Sequence, residues 1–327
     1  MKSSKKKLIC LTLITLLLIA MTGSAAFATE QPDEQPITVS MTAGENGYYL
    51  YDIETEESVF VDPSEYGDAD AEPIPASEDL LIEDPPEIAP FGVIGNDDRT
   101  KVSSPSGRYE STCLIGIRFP DDYIEYGTGW LINDSYVATA AHMLYKSEHG
   151  GYGKHVAVYV GSSGGTYKTY RLGHSYAIGG DYKNNEYNSS IYNSKGMFDD
   201  WGVVKLTSAV SGVGHLGRYA VNSHNDMKNR TYYTQGYPKD KNSSKSKWND
   251  CDMYTCSGKI NGNVIQSRYL PVVYTDIDIY EGQSGSPVYS YRSGYGYTAE
   301  GIVVAGSSNA NCVILLNNWL YNYFSTL

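Results

Sequence analysis

From residue 93 onward the sequence consists of short apolar runs of β-strand length, separated by glycine, asparagine, aspartate and serine. This pattern predicts strands joined by turns. Asn133-Asp134, between two such runs, is typical of a hairpin turn. We therefore expect an all-β barrel or sandwich. The apolar runs cover residues 114–119, 130–132, 136–138, 156–160, 203–206, 272–277 and 301–304.

The end of the chain has a different period. Leu316, Trp319, Leu320, Tyr323 and Phe324 follow the i, i+3, i+4, i+7, i+8 spacing of one helix face. This spacing predicts a C-terminal helix that docks its apolar stripe on the β body. The 235 residues from 93 to 327 suit two small barrels packed together.

The N-terminus has the pattern of an export signal. Lysines at positions 2, 5, 6 and 7 precede an apolar run over residues 8–21, which is too short to span a bilayer comfortably. Ala26-Phe27-Ala28 then provides a small-x-small cleavage site, so we place the signal peptide at residues 1–28. A membrane anchor is the alternative, but a polar, acidic segment follows at once. We expect a secreted, extracellular protein with no stable membrane anchor.

The net charge of −13 comes from one segment. Residues 29–92 carry eighteen acidic and no basic side chains, whereas residues 93–327 carry twenty-one basic and twenty acidic ones. No basic stripe exists to neutralise phosphates, so nucleic-acid binding is not expected. The acidic, proline-containing segment should bury little apolar surface and be poorly ordered alone. It is either a solvated linker or a propeptide.

Export permits disulfide bonds. Four cysteines follow the signal peptide, and they allow three connectivities. A Cys251–Cys256 pair is favoured because a short loop costs little entropy to close, which leaves Cys113 with Cys312. A zinc site has little support, because no CxxC or HExxH motif occurs. We expect no metal or cofactor.

The strongest local signal is the segment 282–287, Gly-Gln-Ser-Gly-Ser-Pro. A serine hydroxyl is a weak nucleophile that needs a base and a pocket for the developing negative charge. Glycines on both sides let the chain turn tightly and expose Ser284. They also let the N–H groups of Gly282 and Ser284 form an oxyanion hole. An ordinary turn would have a similar composition.

Two further segments match this serine. Small residues at 139–141 precede His142, and Asp199-Asp200 leads into an apolar strand. A lone histidine is more often structural, and an acidic pair is more often a solvated turn. In the chain order His, Asp, Ser, however, they predict a nucleophilic triad of His142, Asp200 and Ser284. Such a triad would hydrolyse a peptide bond through an acyl-enzyme.

The same segments resemble bacterial glutamyl endopeptidases, the V8-like branch of the trypsin-fold serine proteases. The resemblance covers roughly residues 93–327. It implies two packed six-stranded antiparallel β-barrels, the first over about residues 93–212 and the second, with the C-terminal helix, over about 213–327. It also implies a zymogen whose propeptide, residues 29–92, is removed near Gly92-Val93. The matching segments are 93–100, 129–132, 139–142, 200–204, 236–238 and 282–288.

The sequence departs from these relatives where substrate specificity is set. Glutamate-specific members have a histidine where this chain has Val303, and a threonine or serine where it has Ile279. In the family these positions, with the mature N-terminal amine, here Val93, contact the substrate carboxylate. A carboxylate beside two apolar side chains would be unpaired, which is expensive. We therefore expect a neutral, apolar P1 residue rather than glutamate.

The predicted protein is thus a monomer that acts on protein or peptide substrates. The sequence is also compatible with two other kinds of protein. A binding or adhesion protein could use the same fold without catalysis, and 31 tyrosines would suit an adhesive surface. An esterase would share the acyl-transfer machinery.

Overall fold

The computed structural model describes residues 47–62, 97–184, 198–260, 270–306 and 311–327. The predicted signal peptide and Val93 lie outside them. In chain order the strands are β1 (Tyr48–Asp52), β2 (Ser58–Val61), β3 (Thr100–Val102), β4 (Thr112–Arg118), β5 (Ile124–Asn133), β6 (Tyr136–Thr139), β7 (Tyr145–Lys146), β8 (Gly151–Tyr152), β9 (His155–Val160), β10 (Thr169–Gly179), β11 (Gly202–Leu206), β12 (Gly217–Arg218), β13 (Tyr232–Gly236), β14 (Met253–Gly258), β15 (Val272–Thr275), β16 (Pro287–Arg292), β17 (Gly296–Gly306) and β18 (Asn311–Leu315).

Helices are few and short in the described part of the chain. None of them is long and apolar enough to cross a membrane. The α-helices are α1 (Gly180–Asn184), α2 (His224–Met227) and α3 (Asn318–Thr326), and the 3₁₀ turns are Gly107–Tyr109, Ala141–Met143, Ser147–His149 and Trp248–Asp250.

The first sheet closes into a six-stranded antiparallel barrel. Its order is β11-β6-β5-β4-β9-β10, and an additional β10–β11 pairing completes the circle. The β5–β6 hairpin turns at the predicted position, where the Asn133 side chain accepts the Ser135 and Tyr136 N–H groups. Alternate burial along β9 follows from its period-2 apolar pattern.

The second sheet runs in the order β15-β18-β17-β16-β13-β14-β3, with β12 paired to β17. Its last strand, β3, comes from the beginning of the chain segment expected to build the first barrel. Residues 100–102 pair with 253–255 of β14, so the N-terminal segment crosses to the second sheet. The expected all-β, trypsin-like architecture is confirmed. Residues 100–102, however, pair in the second sheet and not in the first barrel.

The predicted C-terminal helix is confirmed as α3. The Asn317 side chain caps it by accepting the Leu320 N–H at 3.0 Å. Trp319 and Phe324 lie against Trp201, which belongs to the first barrel segment. The helix thus packs against the residue that follows the predicted catalytic aspartate in the chain.

A two-stranded addition lies where the sequence predicts a poorly packed segment. The β1–β2 hairpin, within the acidic segment 29–92, pairs with residues 175–179 of β10. Tyr48 and Tyr51 are each only 4% exposed. The expectation of little buried apolar surface is therefore wrong for residues 47–62.

The predicted disulfides are not formed, because Cys113, Cys251, Cys256 and Cys312 are all free and buried. Cys113 lies on β4 of the first sheet and Cys312 on β18 of the second. Cys251 and Cys256 lie in different apolar clusters, and the Cys256 thiol donates to Asp98 at 2.8 Å. Neither predicted pairing is present among these four cysteines, and for Cys251 and Cys256 closeness along the chain does not place the two side chains in one cluster.

Candidate active site

His142 and Asp200 are held together by two contacts. Strand β6 ends at Thr139, and the following 3₁₀ turn carries His142. The His142 backbone N–H donates to Asp200 Oδ1 at 2.8 Å, and its ring Nδ1 lies 2.7 Å from Oδ2. Because a carboxylate only accepts, Nδ1 carries the hydrogen and Nε2 is left unprotonated in the neutral ring. The carboxylate thus fixes the tautomer and the orientation of the ring.

The two members of this pair differ in exposure. The Asp200 side chain is fully buried, whereas the His142 side chain is 21% exposed. An exposed ring edge can meet a substrate, while the buried carboxylate is shielded from water. The arrangement suits a histidine base oriented from behind by an acid.

The neighbouring acid, Asp199, has a separate environment. It accepts hydrogen bonds from Trp201 Nε1 and from the Asp181 N–H, both at 2.7 Å. Burial raises the pKa of Asp199 to about 8, although these two donors act in the opposite direction. The structure therefore places Asp200 against His142 and uses Asp199 to fix the strand entrance.

Residues 282–286, the serine loop, lie between β15 and β16 of the second sheet and contact β5 of the first barrel. Gly282 and Gly285 have φ angles of +94° and +84°, which side chains rarely adopt. A Cβ at Gly285 would lie 2.1 Å from Thr128 O, and one at Gly282 would lie 2.3 Å from Tyr237 O. Both glycines are therefore required by the backbone conformation and by the close approach of other backbone atoms.

The backbone amides of this loop divide into two groups. The N–H groups of Gln283, Gly285 and Ser286 donate to carbonyl oxygens at 2.8–3.0 Å. Those of Gly282 and Ser284 have no acceptor among the described residues. These two donors are thus available to an oxygen that enters from outside the chain.

Thr128 of β5 was not predicted from the sequence as a site residue, yet its hydrogen bonds hold the serine loop against this strand. Its hydroxyl donates to Gly282 O at 2.8 Å and accepts the Tyr237 N–H at 3.2 Å. Its own N–H donates to Ser284 O at 3.0 Å. Thr128 is fully buried. The Gly127-Thr128-Gly129 sequence in a strand was the available signal, because small neighbours permit this close approach.

The segment that follows the predicted cleavage site also contacts the serine loop. The guanidinium of Arg99, only 6% exposed, pairs with Asp97 at 2.8 Å and with Asp240 at 2.6 Å. Its Nη1 lies 3.5 Å from the Gln283 side-chain oxygen. Val93 itself, predicted to contact the substrate, lies outside the described residues.

The two predicted specificity residues belong to one apolar cluster below the serine loop. Val303 is 1% exposed and lies within it, and Ile279 packs on its edge. The Val303 carbonyl accepts the Gly285 N–H at 2.8 Å, which links this cluster directly to the loop. Beside Ile279, Asp278 accepts the Asp98 N–H at 3.2 Å, and burial raises the pKa of Asp278.

In residues 47–62, 97–184, 198–260, 270–306 and 311–327, no three histidine, cysteine, aspartate or glutamate side chains are grouped to hold an ion.

Known proteins match this chain in sequence and in fold. Residues 104–316 match the Trypsin family model. The "Extracellular metalloprotease" of Bacillus subtilis is 29% identical over 240 residues, which cover 72% of this chain and 69% of that protein. The "Glutamyl endopeptidase" of Bacillus licheniformis is 29% identical over 213 residues, 64% of this chain but only 58% of that protein.

Two solved structures share the fold. A Glu endopeptidase in complex with MPD superposes with a TM-score of 0.56 at 23% identity, covering 72% of this chain and 98% of that one. The protease Anisep from Arthrobacter nicotinovorans gives a TM-score of 0.50 at 15% identity, covering 70% and 100%. At these identities the two structures show similarity of fold alone.

Proposed function

Because the chain belongs to the trypsin family and is a serine endopeptidase related to the glutamyl endopeptidases, we propose that His142, Asp200 and Ser284 are its catalytic triad. The 2.7 Å contact between His142 Nδ1 and the fully buried Asp200 is the observation that carries this proposal. Ser284, partly exposed, lies on a loop that Thr128 fixes to the same barrel.

In the proposed mechanism, His142 Nε2 removes the proton of Ser284 as the hydroxyl oxygen attacks the scissile carbonyl carbon. The carbonyl oxygen becomes the oxyanion of a tetrahedral intermediate, and it accepts hydrogen bonds from the N–H groups of Gly282 and Ser284. His142 then protonates the leaving amine as the C–N bond breaks. Water, deprotonated by the same nitrogen, hydrolyses the acyl-enzyme. Asp200 stabilises the imidazolium in both steps.

The substrate preference we propose is for a neutral, apolar P1 residue. Ile279 and Val303 offer no hydrogen bond to a carboxylate, and Asp98 and Asp278 add negative charge beside Ile279. A glutamate side chain would be desolvated without a partner and repelled. Apolar side chains would instead extend the cluster.

Export and activation complete the proposal. Residues 1–28 direct secretion, and cleavage between Gly92 and Val93 releases the mature enzyme. The contact of Arg99 with Gln283 supports a link between the new N-terminal segment and the serine loop. The secreted enzyme should therefore begin at Val93 when its N-terminus is sequenced.

A digest of a diverse peptide mixture, read by mass spectrometry, tests this function. The mature enzyme should cleave after apolar residues, and Ser284→Ala should lose cleavage while keeping its unfolding midpoint. Ser286→Ala is the matched control from the same motif. It should stay active, because Ser286 is fully buried.

Each alternative outcome has a distinct meaning. Cleavage after glutamate would overturn the P1 proposal and leave the triad intact. Activity retained in Ser284→Ala and lost in Ser286→Ala would overturn the assignment of the nucleophile.

A further inference from the structure

Strand β10 offers an edge that the barrel strands do not cover. Strand β9 pairs with residues 169–172, and β11 pairs with 173–178 on the opposite edge. Residues 175–179 extend beyond the end of β9, so on the edge that β9 occupies at residues 169–172 no barrel strand lies beside them. An open edge leaves backbone N–H and C=O groups without ladder partners and invites another strand. Strand β1 occupies this position, with Tyr48 opposite Gly179 and Asp52 opposite Ser175.

The hairpin that supplies β1 is a defined unit. The Asp52 carboxylate accepts hydrogen bonds from the N–H groups of Glu54 and Thr55 at 3.0 and 2.9 Å. The backbone N–H of Asp52 donates to Glu57 O. Beyond the ladder, Ile53 N–H donates to His174 O and Gly180 N–H donates to Gly47 O. Both ends of β1 are thus fixed to the barrel by backbone hydrogen bonds.

Two tyrosines anchor the hairpin in the first barrel. The Tyr51 ring stacks on Tyr152 at a centroid distance of 4.3 Å and contacts Tyr176 at 5.2 Å. Tyr48 contacts Trp201 at 6.2 Å and Tyr323 of α3 at 4.8 Å. Aromatic rings buried in this way dominate the energetics of interfaces.

Charge complementarity supports the same pairing. Glu56, from the acidic segment, lies 3.0 Å from the Lys154 ammonium through both of its oxygens. Lys183 lies 3.7 Å from the centroid of the Tyr49 ring, a cation–π contact. The acidic hairpin therefore meets basic side chains of the body at its rim.

The contacts of the hairpin lie away from the proposed chemistry. They involve β10, α1, α3 and the neighbourhood of Tyr152 and Trp201, and none of the contacts described for residues 47–62 involves His142, Ser284 or Gly282. The predicted cleavage site lies in residues 63–96, which connect the hairpin to Asp97. Cutting there breaks none of the hairpin contacts described above.

We propose that residues 47–62 stay bound to the first barrel after this cleavage, as a non-covalent structural strand of the mature enzyme that does not inhibit the cleft. The docking surface is the open edge of β10 together with the rings of Tyr152 and Tyr176 that Tyr51 contacts, and its occupant is the hairpin of residues 47–62. This inference rests on the proposed processing near Val93, but its test does not depend on catalysis.

The test uses the full chain with Ser284→Ala and a recognition sequence for a site-specific protease inserted within residues 63–92. After cutting, the N-terminal fragment should co-elute with residues 93–327 in size-exclusion chromatography. Native mass spectrometry should give the sum of the two masses, and denaturing conditions should separate them. Separation of the fragments under native conditions, with the barrel still folded, would overturn the proposal.

Two substitutions sharpen this result. Tyr51→Ala removes the stacked anchor and should weaken retention of the fragment about a hundred-fold or more. Val59→Ala is the control, since Val59 is 61% exposed on the same hairpin, and it should leave retention unchanged. Equal retention of both variants would refute the role of the Tyr51 ring contacts.

If Tyr51→Ala prevents folding of the precursor, peptides 47–62 with and without the substitution can be added to the cut, stripped Ser284→Ala protein. Only the unsubstituted peptide should raise its melting temperature and change its tryptophan fluorescence. With the active enzyme, the bound peptide should leave cleavage of a short substrate unchanged. Inhibition would overturn the claim that the hairpin leaves the cleft free. Loss of serine-dependent cleavage would refute the proposed function and leave the binding result standing.

Discussion

Replacing Thr128 with valine tests how the serine loop is positioned. Valine keeps the shape of the side chain but removes the hydroxyl that donates to Gly282 O and accepts from the Tyr237 N–H. Two buried backbone groups would then lack a partner, each at a cost of about 1–3 kcal/mol. The free energy of unfolding should therefore fall by about 2–6 kcal/mol.

The same change should reduce catalysis through the oxyanion hole. Gly282 carries one of the two proposed donors, and its carbonyl would no longer be held. Complete loss of an oxyanion donor costs about 100- to 1,000-fold in kcat, so a loosened donor should cost about 10- to 100-fold. Because the interaction forms in the transition state, kcat and kcat/KM should fall together while KM stays nearly constant.

The assay compares three variants by urea unfolding and by steady-state cleavage of a peptide substrate at a temperature where all are folded. Thr128→Ser restores the hydroxyl and should recover most of kcat. Thr255→Val removes a comparable buried strand hydroxyl, which donates to Thr234 O at 2.9 Å rather than to the serine loop. It should lose about 1 kcal/mol and keep its kcat. If Thr128→Val loses stability but keeps the wild-type kcat, Thr128 does not position the oxyanion hole.

Three further perturbations have outcomes set by the structure. Burial alone would raise the pKa of Glu125, but Lys146 and Lys239 lower this pKa to about 2. The ion pairs of Glu125 therefore stabilise the fold fully above the ordinary glutamate pKa of about 4.3. This stabilisation is lost as the pH falls through 2. Urea unfolding should therefore show Glu125→Gln to be less stable than the wild type at pH 7, with a difference that shrinks toward pH 2. Gly285→Ala places a Cβ 2.1 Å from Thr128 O and should cost about 2–5 kcal/mol in unfolding free energy and abolish peptidase activity, whereas wild-type stability would refute the close approach. Reductant should leave the melting temperature unchanged, and alkylation after denaturation should modify all four thiols of residues 93–327, because all four are free.

The proposed site residues were found in the sequence because their chemistry restricts residue types locally. A tight glycine turn around Ser284, small residues before His142 and an acid at the start of a buried strand each leave a mark within a few residues. Strand-length apolar runs likewise predict the β architecture, and the periodicity of residues 316–324 predicts α3. In each case the structural requirement acts on residues that are close together in the chain, so a short stretch of sequence is enough to show it.

What could not be predicted depends on contacts between distant parts of the chain. Thr128 and Gly282 are 154 positions apart, and nothing near either residue indicates the other. The cysteine pairing failed for the converse reason. Cys251 and Cys256 are close in sequence, but the chain between them enters β14 and carries their side chains into separate clusters.

The hairpin shows how an averaged composition can hide a packed element. Eighteen acidic side chains over residues 29–92 predict a segment that cannot bury enough apolar surface to order itself. Within that segment, however, residues 47–51 read Gly-Tyr-Tyr-Leu-Tyr and residues 58–61 read Ser-Val-Phe-Val, both rich in strand-forming side chains. The acids concentrate in the turn between them and in the flanking sequence, and Glu56 of the turn meets Lys154. Order comes from the body, because an isolated hairpin is marginal in water and an open sheet edge supplies its missing partner. A segment that is disordered by composition and strand-like by local pattern is therefore best interpreted as a strand whose partner lies elsewhere in the chain.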